Sequence, residues 1–270
     1  MAKINSALFD IGYMDTLSSR DTFIHRLDPR IKLVTTLIFI VMVVSFDKYQ
    51  ISGLVPFLLY LVVVIALADL PIGYLLKKII IVSPFALMIG IFNPLLDTNI
   101  LMNLGPLRIS GGWISFASIM VRFILTVGAA LVLISSTGFI EVCMAAEKIG
   151  VPRIFAIQLL FIYRYLFVLI DEASRMVMAR ALRSFNKKGM GLRVFGSLVG
   201  HLLLRTLDRA QRIHHAMLCR GFNGEIRIIR KLNIGLPEVL FFLCSSSFFI
   251  VMRLYNIPQL MGNFFMEFMI

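Results

Sequence analysis

Charge is scarce in this chain. Asp, Glu, Lys and Arg make up 16% of its 270 residues, while 59% are hydrophobic and the mean hydropathy is +0.89. So few charges cannot coat that much apolar surface in water, which excludes a soluble domain and leaves a polytopic membrane protein. The three cysteines, Cys143, Cys219 and Cys244, stand far apart and have neither metal-ligand spacing nor the pattern of a disulfide framework. No Gly-x-x-x-x-Gly-Lys-Ser/Thr loop occurs, so the chain has no phosphate cradle of its own. Any ATP-driven process must therefore draw on an ATPase in another chain. The first 30 residues hold Asp10, Asp15, Asp21 and Asp28 and no compact apolar core. They read as a cytosolic arm, not a cleavable signal.

What the chain does have is a set of uncharged apolar runs: Leu33–Phe46, Ile51–Ala68, Ile79–Leu96, Phe123–Ile140 and Val239–Met252. A membrane span needs roughly 17–25 residues, since about 30 Å of hydrocarbon is crossed at ~1.5 Å per residue. The first and last runs are short; Lys32 beside the first can snorkel, and residues 234–237 can extend the last. Five spans follow, with a sixth, membrane-contacting stretch at Ile154–Ile170 interrupted by Arg164. The expected fold is all-α and polytopic. Residues 1–172 would hold the N-terminal arm, four spans and the contacting helix. Residues 173–232 would form a basic cytosolic helical region, and 233–270 the last span with an external C-terminus.

The sign of the charge follows this topology. With the N-terminus inside a prokaryotic cell membrane, 5 Lys/Arg in residues 1–32, 2 at Lys77–Lys78 and 16 from Lys148 to Lys231 face the cytoplasm. Only Lys48, Arg108, Arg122 and Arg253 face out, as the positive-inside rule requires. Between Arg175 and Lys231 alone lie 13 of the 27 basic residues, against Asp208 and Glu225.

Turn chemistry divides the runs. Asp28-Pro29 starts the first helix, Asp capping free N–H groups and Pro fitting the first turn. Asp47-Lys48 and Asp69-Leu70-Pro71 mark turns, and Pro84 and Pro94 are expected to kink the third span. Residues 97–113, with Gly105-Pro106 and Gly111-Gly112, read as an external loop. Arg122 reads as an interfacial arginine. Pro152 opens a helix expected to run through Phe185, apolar first and charged later. Gly189 and Gly191 break it, and a second helix covers Val194–Arg220 with Gly221 as its stop. On that helix Arg205, Arg209 and Arg212 share one cationic face, Asp208–Arg212 forms an i, i+4 pair, and Leu203, Leu207, Ala210, Met217 and Leu218 are free to pack on the preceding helix.

His201 and His215 lie ~21 Å apart along one helix, too far to share an ion, and with His214 read as surface histidines. Asp171-Glu172 reads as a structural ion pair with Arg175. An alternative reading makes those carboxylates or the histidines the machinery of a membrane-embedded enzyme. The basic segment itself has three readings. Nucleic-acid binding usually brings interleaved aromatics or a recognised module, and here only Phe185, Phe195 and Phe222 occur. Anionic membrane lipid attracts any juxtamembrane basic cluster. Docking to a soluble partner with acidic grooves accounts best for two long helices with a cationic face.

Three stretches together carry a resemblance. His25-Arg26-Leu27-Asp28-Pro29-Arg30-Ile31-Lys32 is similar to the approach to the first helix of the transmembrane T component of energy-coupling-factor transporters. The run from Glu141 to Arg183 resembles that family's central signature, through Val151-Pro152, Tyr163-Arg164-Tyr165, Asp171-Glu172 and Ala179-Arg180-Ala181. Leu218-Cys219-Arg220-Gly221 is similar to the second of its two short arginine motifs. The chain most resembles the CbiQ-type, cobalt-transport branch. The resemblance implies a non-catalytic coupling subunit of an importer. Arg180 and Arg220 would each enter a groove on one of two P-loop ATPase subunits (CbiO-like), flanked by the small residues Ala179, Ala181, Cys219 and Gly221. Asp28, Pro29, Arg30, Arg164 and Glu172 would support them. ATP and Mg would be bound by the ATPases and the cargo by a substrate-binding membrane subunit (CbiM-like, with a CbiN-like accessory). No cofactor and no nucleic acid would be bound by this chain.

Overall fold

A computed structural model describes residues 12–96, 100–104, 107–183, 191–224 and 235–255. The chain divides into two compact units, Met14–Ala145 with Leu232–Ile270, and Met1–Tyr13 with Ala146–Lys231. The first contains α2 (Phe23–Arg26), α3 (Pro29–Val44), α4 (Val55–Leu67), α5 (Ile72–Gly90), α6 (Phe92–Leu96), α7 (Gly111–Thr137) and α11 (Leu236–Leu254). A short helix, α1, covers residues 12–18, and α8 (Phe139–Ile149) leads out of α7. The second unit is built on α9 (Arg153–Arg183) and α10 (Leu192–Cys219).

Long-range bridges fix the directions of the bundle helices. At one end Lys32 Nζ donates to the Ser136 carbonyl (3.1 Å), and Arg20 donates to Asp69 Oδ2 (3.2 Å). At the other, Arg122 donates to the Asp47 carbonyl, while Arg253 donates to the Ser45 carbonyl (2.9 Å) and stacks 4.3 Å over the Phe46 ring. Gly90 on α5 lies against Phe116 on α7, and Gly128 lies against Leu61 and Ile79. So α3, α5 and α11 run one way and α4 and α7 the other, a five-helix bundle. The chain is an all-α, multi-pass membrane protein. A small two-stranded antiparallel hairpin, β1 (Ile100–Leu104) with β2 (Leu107–Ser110), precedes α7 where the sequence reads as loop; Gly105-Pro106 lies outside the described residues.

Four stretches are long and apolar enough to cross a bilayer: Ile72–Pro94, Gly111–Thr137, Arg153–Arg183 and Leu236–Leu254. Two expected spans are shorter. The 16 residues of α3, and Ser52–Leu67, each extend about 24 Å, less than a full hydrocarbon core. Conversely α9, expected only to touch the membrane, qualifies by length and composition. The helices also outrun the uncharged runs. α5 begins before Lys77-Lys78, and α7 begins at Gly111 and carries Arg122 inside it. Lys32 does not snorkel: it is 5% exposed and spends its ammonium on Ser136.

Lipid tails are as apolar as leucine, so interhelical packing relies on shape and small residues. Phe39, Phe57 and Phe249, all fully buried, bring α3, α4 and α11 together with ring centroids 5.5–5.9 Å apart, and Tyr60 packs edge-on to Phe249 at 4.8 Å. Such tilted ring pairs add about 0.5–1.5 kcal/mol beyond burial. A Cβ at Gly90 would come 2.8 Å from the Phe116 ring, which is why α5 and α7 approach closely there. Pro84 sits inside α5, and its missing N–H frees the Ile80 carbonyl; the Ser83 hydroxyl donates to that oxygen at 2.9 Å. The second expected kink, Pro94, falls in the separate helix α6, beyond a break at Ile91.

Candidate functional site

The motif over residues 25–32 builds the start of α3. Asp28 is the N-cap, 4% exposed; its Oδ1 accepts from the Arg30 N–H at 2.9 Å, and Pro29 opens the first turn. The Arg30 guanidinium leans over the same carboxylate, with Nε 3.9 Å from Oδ1. His25 is buried between Leu17 and Thr22. Its Nε2 lies 3.1 Å from the Leu17 carbonyl, which only accepts, so Nε2 carries the proton and Nδ1 accepts from the Thr22 hydroxyl at 2.7 Å. Together with Lys32, these residues are anchors of the bundle's end.

Burial, then the charges of Lys32 and Arg20, hold the His25 imidazolium below its usual pKa. The unfolded chain therefore binds the extra proton, and stability is complete above the unfolded value of about 6.5 and lost as pH falls through it. Thermal melts between pH 7.5 and 5 should show this decline, and His25→Gln should flatten it. An unchanged slope in the variant would show that His25 does not carry the effect.

In the second unit α9 and α10 lie antiparallel. Glu172 on α9 pairs with Arg205 on α10, and Phe161 and Tyr165 face the stretch from Ala210 to Met217. Asp171 is held by Arg175 at 2.7 Å, one turn on. The expected partnership of the two carboxylates with Arg175 is thus half corrected: Glu172 reaches across to a helix that sequence spacing could not pair with it. Arg205, Arg209 and Arg212 are all exposed on α10, as the expected cationic face requires; Arg205 is in addition paired with Glu172, and Arg209 borders the gap between the helices. No Asp208–Arg212 ion pair forms among the described residues. Of the five apolar residues expected at this contact, Leu207, Ala210 and Met217 line it, and Leu203 and Leu218 do not. The Glu172–Arg205 pair marks the register of the two helices. Glu172→Arg or Arg205→Glu alone should cost up to about 1 kcal/mol, because the arginine is largely in water, and the double exchange should restore it. A double-mutant cycle by thermal unfolding measures this.

The arginine motifs occupy the two helix ends. Ala179, Arg180 and Ala181 are in the last turn of α9; Arg180 is half-buried and both alanines are exposed. Arg220 caps α10. Gly221, at φ +76, lets the Phe222 N–H reach the Met217 carbonyl (3.0 Å) and its own N–H reach Leu218 (3.0 Å), a Schellman stop. Cys219, Arg220 and Gly221 are exposed there. Among the described residues neither Arg180 nor Arg220 has an ion-pair partner. Because the helices are antiparallel, Arg180 lies beyond Glu172 in one direction and Arg220 beyond Arg205 in the other. About 23 residues of helix, roughly 35 Å, separate them along the pair. Arg164 is exposed on α9. Phe185, Lys187, Lys188, Gly189, Glu225 and Arg227 lie outside the described residues.

Among the described residues no three His, Cys, Asp or Glu converge as a metal site would require. His214 and His215 are neighbours with ring centroids 6.1 Å apart, and His214 lines the gap beside Arg209.

Comparison with known proteins agrees with this architecture. Residues 20–229 match the family described as cobalt transport protein, CbiQ. An uncharacterized protein of Methanocaldococcus jannaschii is 29% identical over 232 residues, covering 82% of this chain and 79% of the relative. The energy-coupling factor transporter transmembrane protein EcfT of Leuconostoc gelidum subsp. gasicomitatum is 28% identical over 224 residues, 77% of this chain and 82% of the relative. The cobalt transport protein CbiQ of Rhodobacter capsulatus is 34% identical over 82 residues, 30% of this chain and 34% of the relative. With its helical bundle, its antiparallel helix pair and these matches, the chain belongs to the CbiQ family, the membrane transport proteins that form the transmembrane component of energy-coupling-factor transporters.

Proposed function

We propose that this chain couples two ATPase subunits to a substrate-binding membrane subunit in an importer, with cobalt as cargo. The observation that carries the reading is the placement of Arg180 and Arg220 at opposite ends of one antiparallel helix pair. Two short cationic ends far apart suit two separate ATPase subunits, CbiO-like, better than one. An arginine fork offers several donors to carboxylates or helix C-termini, whereas lysine is a point charge. ATP and Mg²⁺ would be held by those subunits, whose closure would move the two ends of the pair together and act on it as a lever. A CbiM-like membrane subunit, with a CbiN-like accessory, would carry the cargo. Positive-inside counting favours a cytoplasmic N-terminus and an external C-terminus. The parallel course of α3 and α11 agrees, since it requires an odd number of crossings.

The enzymatic alternative loses support because Asp171 and Glu172 are both engaged, by Arg175 and Arg205. The deciding experiment co-expresses the chain with a P-loop ATPase and a small substrate-binding membrane protein of this transporter class. The purified complex, reconstituted in vesicles, should accumulate cobalt with ATP. Preference for nickel in competition would reassign the cargo. A complex that hydrolyses ATP without moving cobalt, nickel or a vitamin, or no complex at all, would overturn the coupling role. Thiol labelling of a cysteine placed at Arg193 should occur only from the cytoplasmic side.

A further inference from the structure

A slot of about 410 Å³ runs between α9 and α10. Phe161, Val168 and Leu169 form one wall, and Leu207, Ile213 and Met217 the other. The polar residues along it are Tyr165, Arg209, His214 and Thr206, whose hydroxyl donates to the Leu203 carbonyl at 2.8 Å, and no carboxylate lines it. The carboxylate at the neighbouring contact, Glu172, is already taken by Arg205. An apolar slot rimmed by donors and a cation suits a ligand that is apolar along its length and negative at its head. Its size is that of a small-molecule site.

We propose that this slot binds an anionic phospholipid, one acyl chain lying between the helices and the phosphate resting on Arg209. The guanidinium fork matches phosphate oxygens in a bidentate way, and His214 adds a second donor on the same wall. Burying an acyl chain contributes about 0.8 kcal/mol per CH₂ removed from water. A zwitterionic lipid supplies the same chain but sets a tethered cation against Arg209, so headgroup charge is what the site reads. α9 is among the stretches long and apolar enough to meet a bilayer, which gives the lipid a route in.

The test uses the full-length chain, delipidated in detergent, with phosphatidylglycerol and phosphatidylcholine of identical acyl chains. Native mass spectrometry should show phosphatidylglycerol retained at higher collision energy. Arg209→Ala should weaken that binding about fivefold, and Arg212→Ala, exposed and outside the slot, should leave it unchanged. A second readout does not need Arg209 altered. In Trp113→Phe/Ile213→Trp, where the single native tryptophan is replaced by one in the slot, brominated phosphatidylglycerol should quench more strongly than brominated phosphatidylcholine. Equal retention and equal quenching by the two lipids would reduce the slot to ordinary annular contact and overturn the proposal. Absence of quenching, with a photocrosslinker at 213 capturing only a co-expressed membrane subunit, would assign the slot to a protein side chain and overturn it equally.

Discussion

Arg180→Ala and Arg220→Ala are each expected to weaken assembly with the ATPases by about 2–5 kcal/mol, the cost of leaving the partner of a buried charge unpaired. If each guanidinium enters an ATPase groove, its removal strands carboxylates or helix-end carbonyls that have already lost their water. Arg212→Ala, mid-way along α10 and exposed, should change assembly little. Arg180→Lys and Arg220→Lys should rescue only part of the loss, since an ammonium cannot reproduce the fork. The double alanine variant should be worse than either single one, because the two ends would address different subunits. Pull-down of the ATPases and cobalt uptake, at matched membrane abundance, measure this. Normal assembly and uptake by the double variant would reduce both arginines to topogenic charge at helix ends, where cations favour the macrodipole anyway.

What the sequence made legible was local. Asp28-Pro29, Gly221 and the long helix after Pro152 depend on neighbours within one turn, and each appears where spacing places it. Arg220 was likewise placed at a helix end by the Gly221 stop, and Arg180 within the long helix before it. What could not be read was the satisfaction of charge at a distance. Lys32 stays buried because the Ser136 carbonyl, 104 residues away, accepts from it, and Arg122 tolerates a place inside α7 because Asp47 meets it. Counting uncharged runs therefore started α7 too late and left Lys32 at the surface. Glu172 was paired with the wrong arginine for the same reason: Arg205 lies 33 residues on and comes near only when α9 and α10 fold back. That antiparallel pairing, which sets the two arginine motifs about 35 Å apart, exists only in three dimensions.

Gly138→Val is expected to destabilise the bundle by about 3 kcal/mol. Gly138 separates α7 from α8 with φ +82, a region that costs a branched residue about 1–3 kcal/mol. A Cβ there would also stand 2.9 Å from the Ser18 hydroxyl, closer than a carbon can sit without displacing it. Crowding of this kind adds roughly 1–3 kcal/mol when the neighbour cannot move away. Ser18 has little freedom, because its hydroxyl donates to the Asp15 carbonyl at 2.9 Å. The two causes separate by mutation. Gly138→Asn should lose less, since asparagine tolerates the left-handed backbone, but still meet Ser18. Ser18→Gly, combined with Gly138→Asn, should recover most of the remaining loss, and combined with Gly138→Val only the crowding part. Thermal unfolding of these four variants, with Ser18→Gly alone and the wild type, forms the cycle. If Ser18→Gly restores neither, the crowding argument fails and backbone strain alone accounts for the glycine. If Gly138→Val melts like the wild type, the chain leaves α7 by a different backbone path.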